Sequence, residues 1–178
     1  DVKTKAWLRH YFEEQIYPVV TPLAVDSGHP FPFLANNTIN AIVRIFQVQP
    51  DGTKDYKIAI LPIPSVLDRI IEVPSSSNKE HRFVYLEDVI SYYAIQFFQG
   101  YGIEEAMIFR LTRDADLEID EEDAKDLLTE VEASLRRRRR GDAVRLEVVG
   151  AGSPELLRTV LASVELEEKD VYHIDGHL

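Results

Sequence analysis

Apolar residues recur at helical spacing almost from the first residue. Trp7, Leu8, Tyr11 and Phe12 share one face, which predicts a helix over residues 6–17 that Pro18 ends. Residues 18–33 break the period with prolines at 18, 22, 30 and 32, which fix φ and remove backbone donors. Val19, Val20, Leu23, Phe31 and Phe33 make the stretch too apolar for a flexible linker, so an ordered, buried loop is expected. The period then changes to two. Ile39, Ala41, Val43 and Ile45 alternate through residues 38–48, while Ile42, Phe46 and Val48 on the other face imply a strand covered on both sides. Pro50-Asp51-Gly52 is a turn signal, and residues 56–63 make the second strand of a hairpin, closed by Pro62 and Pro64. Residues 69–73 and 82–86 read as two more strands around a polar loop at 75–80.

Helical spacing returns over residues 87–99, where Val89, Ile90, Tyr93, Ala94, Phe97 and Phe98 form a broad stripe and Gly100 is a natural stop. A strand at 106–111 follows. Residues 121–140 are expected to be the longest helix, burying Ala124, Leu127, Leu128, Val131 and Leu135. After a strand at 144–149, Ser153 as cap and Pro154 at the first helical position open a helix over 154–164. Residues 171–174 fit a last short strand. No internal repeat is visible. The predicted fold is α+β: one compact domain with a mixed β-sheet and helices packed on its faces.

Composition narrows the function more than the fold. The 178 residues include 31 acidic and 20 basic side chains, for a formal net charge of −11. That sign argues against a general binder of nucleic acid or of anionic membranes. There is no cysteine, which removes disulfides, thiolate nucleophiles and cysteine-bound metal centres together. With 45% apolar residues the chain is no acidic disordered tail, and no run of about 18 apolar residues offers a transmembrane segment. The start lacks a secretory pattern and an initiator Met, and the chain stops at Asp175-Gly176-His177-Leu178. A piece of a longer protein is expected.

The loudest local feature is the run Arg136, Arg137, Arg138, Arg139 and Arg140. It is a candidate polyanion contact, for phosphate chains, acidic lipid or nucleic acid. It also ends a predicted helix whose first turn is acidic (Asp120 to Asp123), an arrangement that complements the helix dipole, and the solvated helix end is the preferred reading. Asp114, Asp116, Glu118 and Asp120 alternate, as oxygen ligands on one face of a strand would, but the spacing does not fit a calcium loop. No metal site is assigned. His10, His29, His81, His173 and His177 form no i,i+4 pair, and no serine sits in a nucleophile elbow. His29 is expected to bond a backbone carbonyl inside the proline loop. Gly150-Ala151-Gly152-Ser153-Pro154 lacks the third glycine or the Gly-Lys pair of a phosphate-binding loop, so a plain strand–helix turn is expected.

Several longer strings then point to one family. YFEEQIYPVVTPLAVDSGHPFPFLANNTINAIVRI resembles the opening of the middle, or head, domain of bacterial polyphosphate kinases. PIPSVLDRIIEVP, VYLEDVI, FRLTRDADLEID, LRRRRRGDAVRLEV and DVYHIDGHL continue the resemblance in order. It implies that residues 1–178 are that middle domain, with residues 1–17 as a lead-in helix, and that the N-terminal and two C-terminal domains of the parent lie outside this sequence. The implied parent activity is reversible transfer of the terminal phosphate of ATP to polyphosphate, through a phosphohistidine with Mg²⁺. The implied location is cytoplasmic. The resemblance places the phosphohistidine and the metal environment in the C-terminal domains. No catalytic, cofactor-binding or metal-binding residue is therefore carried onto this chain. The implied partners are the other domains of the same polypeptide, a second subunit in a homo-oligomer, and polyphosphate; nucleic acid is not among them. The domain itself is expected to act as scaffold and dimer interface without turnover of its own. The alternatives are a polyphosphate-binding module using Arg136 to Arg140, or a plain oligomerisation module.

Overall fold

The computed structural model describes residues 2–75, 80–114 and 141–178. Among the described residues, eight strands form a six-stranded mixed sheet, in the order β1-β3-β2-β6-β7-β8, and a separate two-stranded sheet, β4-β5. The α+β class with helices beside a mixed sheet is therefore as the sequence predicts. Two compact units divide the chain. One comprises Asp1–Pro32 and Ile39–Ile108, the other Phe33–Thr38 and Phe109–Leu178.

In the first unit, α1 (Val2–Tyr11) starts earlier than the apolar period indicates, because its first turn is mostly exposed and carries no stripe. It widens into a π-helical turn (Phe12–Ile16), closed by Tyr17 N donating to Phe12 O at 2.8 Å. That turn brings both Phe12 and Ile16 to 0% exposure. Pro18, having no N–H, ends it.

The proline stretch departs from expectation. Of the five side chains predicted to pack it, only Val20 is buried; Leu23 and Phe31 are half-buried, and Val19 and Phe33 are exposed. The reason lies in backbone hydrogen bonding. Leu23–Val25 forms an edge strand, β1, antiparallel to β3 (Lys54–Pro62), so the segment lies along the rim of the sheet and its prolines fall outside the ladder. Leu34 occupies the buried position that Phe33 does not.

β2 (Ile39–Val48) and β3 make the predicted hairpin, with Ala41 opposite Leu61 and Val43 opposite Ala59 on one buried face. The second face is covered at its centre, where Ile42 meets Ile60, and open at Val48. β4 (Ile70–Val73) and β5 (Arg82–Tyr85) pair antiparallel. α2 (Leu86–Tyr93) buries Val89 and Ile90 but stops short of the predicted helix end, tightening into a 3₁₀ turn (Ala94–Phe97). Aromatic packing explains the change: Phe12 stacks on Tyr93 with centroids 4.9 Å apart and meets Phe97 edge-on at 5.3 Å. β6 (Gly102–Arg113) is longer than predicted at both ends. A Cβ on its first residue, Gly102, would run into the Phe46 ring and force that ring to move.

The second unit is built on the far half of β6, which pairs antiparallel with β7 (Ala143–Val149). β7 pairs parallel with β8 (Val171–Ile174), and α3 (Pro154–Val164) makes the crossover that a parallel pair requires. Phe109, Leu111, Leu146 and Val148 form the sheet side of the core, with Leu156, Val160 and Leu161 from α3 also buried. The predicted bounds of α3 coincide with the observed ones. Ser153 Oγ accepts from Leu156 N at 3.3 Å, and Glu165 in a left-handed conformation (φ 58°) closes the C-terminus. The predicted helix at 121–140, and the acidic alternation beyond Asp114, lie outside the described residues.

Candidate functional site

Strand alternation puts a polar row on one face of the second unit. Arg110 sits opposite Glu147 across the β6–β7 ladder, and Glu147 sits opposite Tyr172 on β8. Arg110 Nε donates to Glu147 Oε2 at 2.6 Å, and Arg145 Nη2 donates to Oε1 at 2.8 Å. The Arg145 guanidinium lies 3.9 Å from the centre of the Tyr172 ring. Two cations share one nearly buried carboxylate, and the buried Nε of Arg145 has no acceptor among the described residues.

The hydrogen bond from Arg110, assisted by the charges of both arginines, holds the Glu147 carboxyl below its ordinary range, against the opposing effect of burial. Because the folded state lowers this pKa, the associated stability is present above the unfolded value of about 4.3 and is lost as pH falls through the folded one. Glu147→Gln should therefore lower stability near neutrality and flatten this part of the acid limb. Urea unfolding across a pH series checks it; parallel acid limbs in parent and variant would refute the assignment.

Arg113 is held differently. It follows a register shift between Thr112 and Arg113, where the β6–β7 ladder is interrupted. Its Nε donates to Leu34 O and its Nη1 to Gly141 O, both at 2.9 Å, and its guanidinium lies 4.3 Å from the centre of the Phe33 ring. Burial pulls its pKa down, with the charge of Asp142 opposing.

The first unit carries its own charged lattice. Arg44 lies 3.4 Å from Glu104 and 3.2 Å from Glu105, and stacks over Tyr56, whose hydroxyl donates to Glu104 at 2.9 Å. Lys54 covers the Phe46 ring at 4.0 Å. Each cation here faces a carboxylate or an aromatic ring, which describes a strand face sealed by its own charges rather than a centre prepared for chemistry.

The histidines are dispersed. His10 pairs with Glu14 at 3.2 Å and His81 with Glu72 at 2.7 Å, while His173 Nδ1 lies 2.9 Å from Gly150 O. His29 does not meet the backbone carbonyl expected of it. Its Nδ1 lies 3.0 Å from Asp26 Oδ1, which also accepts from Gly28 N and His29 N at 2.8 Å. The loop is too exposed to need a carbonyl partner, and the tight turn brings the carboxylate closer. These bonds lower the Asp26 pKa. Residues 150–154 form the expected strand–helix turn, with Gly150 at φ 63° and Gly152 at φ 67°. Arg136 to Arg140 lie outside the described residues. No cluster of three or more metal-ligating side chains occurs among the described residues. Sequence reasoning passed over Arg110, Arg113, Arg145 and Glu147. For Arg110, Arg145 and Glu147 the signal was alternating charge on adjacent strands, legible only once the register is known, whereas Arg113 follows a register shift and gave no periodic signal.

Fold and site together define an α+β domain with a charged sheet face and no assembled catalytic group among the described residues. The family model for the polyphosphate kinase middle domain matches residues 3–178. The polyphosphate kinase of Halalkalibacterium halodurans is 42% identical over 177 residues, covering 99% of this chain and 25% of the relative. That of Bacillus cereus is 42% identical over 176 residues, again with 25% of the relative covered. The crystal structure of the Porphyromonas gingivalis polyphosphate kinase shares the fold, with a TM-score of 0.75 at 23% identity, over 100% of this chain and 24% of that one. The chain belongs to the polyphosphate kinase family, matching its middle domain. It spans about a quarter of the length of the curated relatives it matches.

Proposed function

We propose that this chain is the scaffold and subunit-interface domain of an enzyme that transfers the terminal phosphate of ATP to polyphosphate. In this reading the phosphohistidine, the Mg²⁺ and most nucleotide contacts belong to other domains of the same cytoplasmic polypeptide, and the enzyme is a homo-oligomer. The observation that carries it is the end-to-end match to the middle domain, in a chain about a quarter as long as relatives named polyphosphate kinase. His29, His81 and His10 each lie beside a carboxylate on the domain surface. Exposed Tyr17, Val19, Tyr92 and Ile95 supply apolar surface for an interface.

A coupled ADP/ATP assay with polyphosphate tests the reading. The 178-residue chain should show no sustained turnover, whereas the full-length parent should. Turnover by the chain alone would overturn the placement of catalysis. Sedimentation across a concentration series should show self-association, and a strict monomer would remove the interface role. The run Arg136 to Arg140 supports a second reading, a polyanion-binding module. It requires salt-sensitive polyphosphate binding that is lost when all five become alanine.

A further inference from the structure

We propose that the outer face of the β4–β5 hairpin is a docking surface for an apolar segment of another domain of the same polypeptide. The geometry locates the surface; the occupant rests on the reading above, in which this chain is one domain of a longer enzyme.

The two faces of this small sheet differ in role. Ile71 and Val73 are buried, and Val84, opposite Ile71, packs against the core of the first unit, so the register is fixed from inside. Residues on the other face should then be polar. They are not. Ile70 and Phe83 are each 57% exposed, and Tyr85, directly opposite Ile70, is half-buried. Cross-strand packing accounts for Tyr85 on Ile70, but Phe83 stands opposite Glu72, a carboxylate that gives a phenyl ring little to pack on. The His81 ring stacks beside Phe83, with centroids 6.5 Å apart, and still leaves it more than half exposed.

The charges around this face are already matched. His81 Nδ1 lies 2.7 Å from Glu72 Oε1, Arg82 pairs with Glu80 at 2.9 Å, and the Arg69 guanidinium, 5.4 Å from the centre of the Tyr85 ring, is bound to Glu87. The occupant that fits is therefore apolar, not a charged ligand. Size decides between a second molecule and a neighbouring domain. Ile70, Phe83 and Tyr85 together present roughly 200–300 Å² of apolar surface, whereas each partner in a stable complex of separate molecules gives about 800 Å². A face this small does not offset the translational and rotational freedom lost on association. Within one polypeptide the covalent connection removes most of that cost, setting an effective concentration on the order of millimolar. The chain spans 25% of the length of the relatives it matches, so in the reading above most of the polypeptide is available to supply the segment.

Hydroxyl-radical labelling of the full-length parent, read by mass spectrometry against the urea-unfolded protein, tests the proposal. An uncovered Phe83 at 57% exposure reacts at about half the unfolded rate, and a covered one should react at least about fivefold more slowly than that. Dilution until the subunits separate should leave Phe83 protected, while Tyr92, on the surface assigned to the subunit interface, gains labelling. Protection of Phe83 lost on that dilution would place a second copy on the face, and a Phe83 never protected would leave the face bare; either result overturns the proposal. Ile70→Lys sets an ammonium where an apolar segment would bury it, at a position the hairpin itself leaves exposed. It should restore Phe83 labelling, with Phe12 still protected as the sign of an intact core. Phe83→Thr, read at Tyr85, makes the same test without a new charge and keeps a strand-favouring residue. Protection that survives either substitution overturns the proposal too. The enzyme reading fails by a different result, the absence of phosphate transfer between ATP and polyphosphate by the same full-length protein.

Discussion

Arg69→Met is expected to destabilise the first unit by about 3–5 kcal/mol at neutral pH, because it strands a buried carboxylate. Glu87 is 1% exposed in the first turn of α2, and Arg69 is its polar partner in three contacts: Nε to Oε1 at 3.0 Å, Nε to Oε2 at 3.3 Å and Nη2 to Oε1 at 2.6 Å. The side chain of Arg69 is 38% exposed, so water reaches the gap it leaves and places the expected loss in the lower half of that range. The double variant Arg69→Met/Glu87→Leu should recover much of the loss, since removing both charges eliminates the unpaired one. Guanidinium unfolding of the two single variants and the double variant measures the coupling. A loss of less than about 1 kcal/mol in Arg69→Met would mean that the pair behaves as a surface ion pair.

Phe12→Ala should cost about 3–5 kcal/mol, the range for deleting a fully buried aromatic ring. Phe12 has 0% exposure and lies at the centre of an aromatic cluster, stacked on Tyr93 and edge-on to both Phe97 and Tyr17. It also stands where α1 widens into its π turn, so the cavity would open where helix, α2 and sheet side chains share one core. For a chain of this size the loss corresponds to a fall in melting temperature of roughly 6–20 °C. Phe12→Leu refills part of the volume and should cost much less. If alanine and leucine melt alike, ring packing is not what holds this corner together.

Legibility followed the range of the interactions involved. Ser153-Pro154 announced α3, because a cap and a first-turn proline act within four residues. The β2–β3 hairpin was equally plain, since its register comes from alternation and a local turn. The proline loop was misjudged as buried because apolar content says that a segment packs, not where. Its edge-strand pairing with β3 is a long-range fact. The early start of α1 and the extension of β6 escaped notice for a related reason. Exposed Lys3 and Lys5 carry no apolar period, and the partners of Glu104 are distant in sequence: Arg44 on the neighbouring strand β2 and Tyr56 beyond it on β3.

The sequence by itself determined the α+β class, most of the local elements, and, through ordered strings running the length of the chain, the family. Those are properties of period, capping and near-neighbour chemistry, and they are written contiguously. Only the tertiary structure decided which charges neutralise one another. Arg110 meets Glu147 from 37 residues away, and Arg69 meets Glu87 from 18 away. Arg113 is instead surrounded by carbonyls and an aromatic ring. The net charge of −11 carries no trace of that difference. Ion pairing is settled by strand register and burial, which bring residues distant in sequence within about 3 Å of one another.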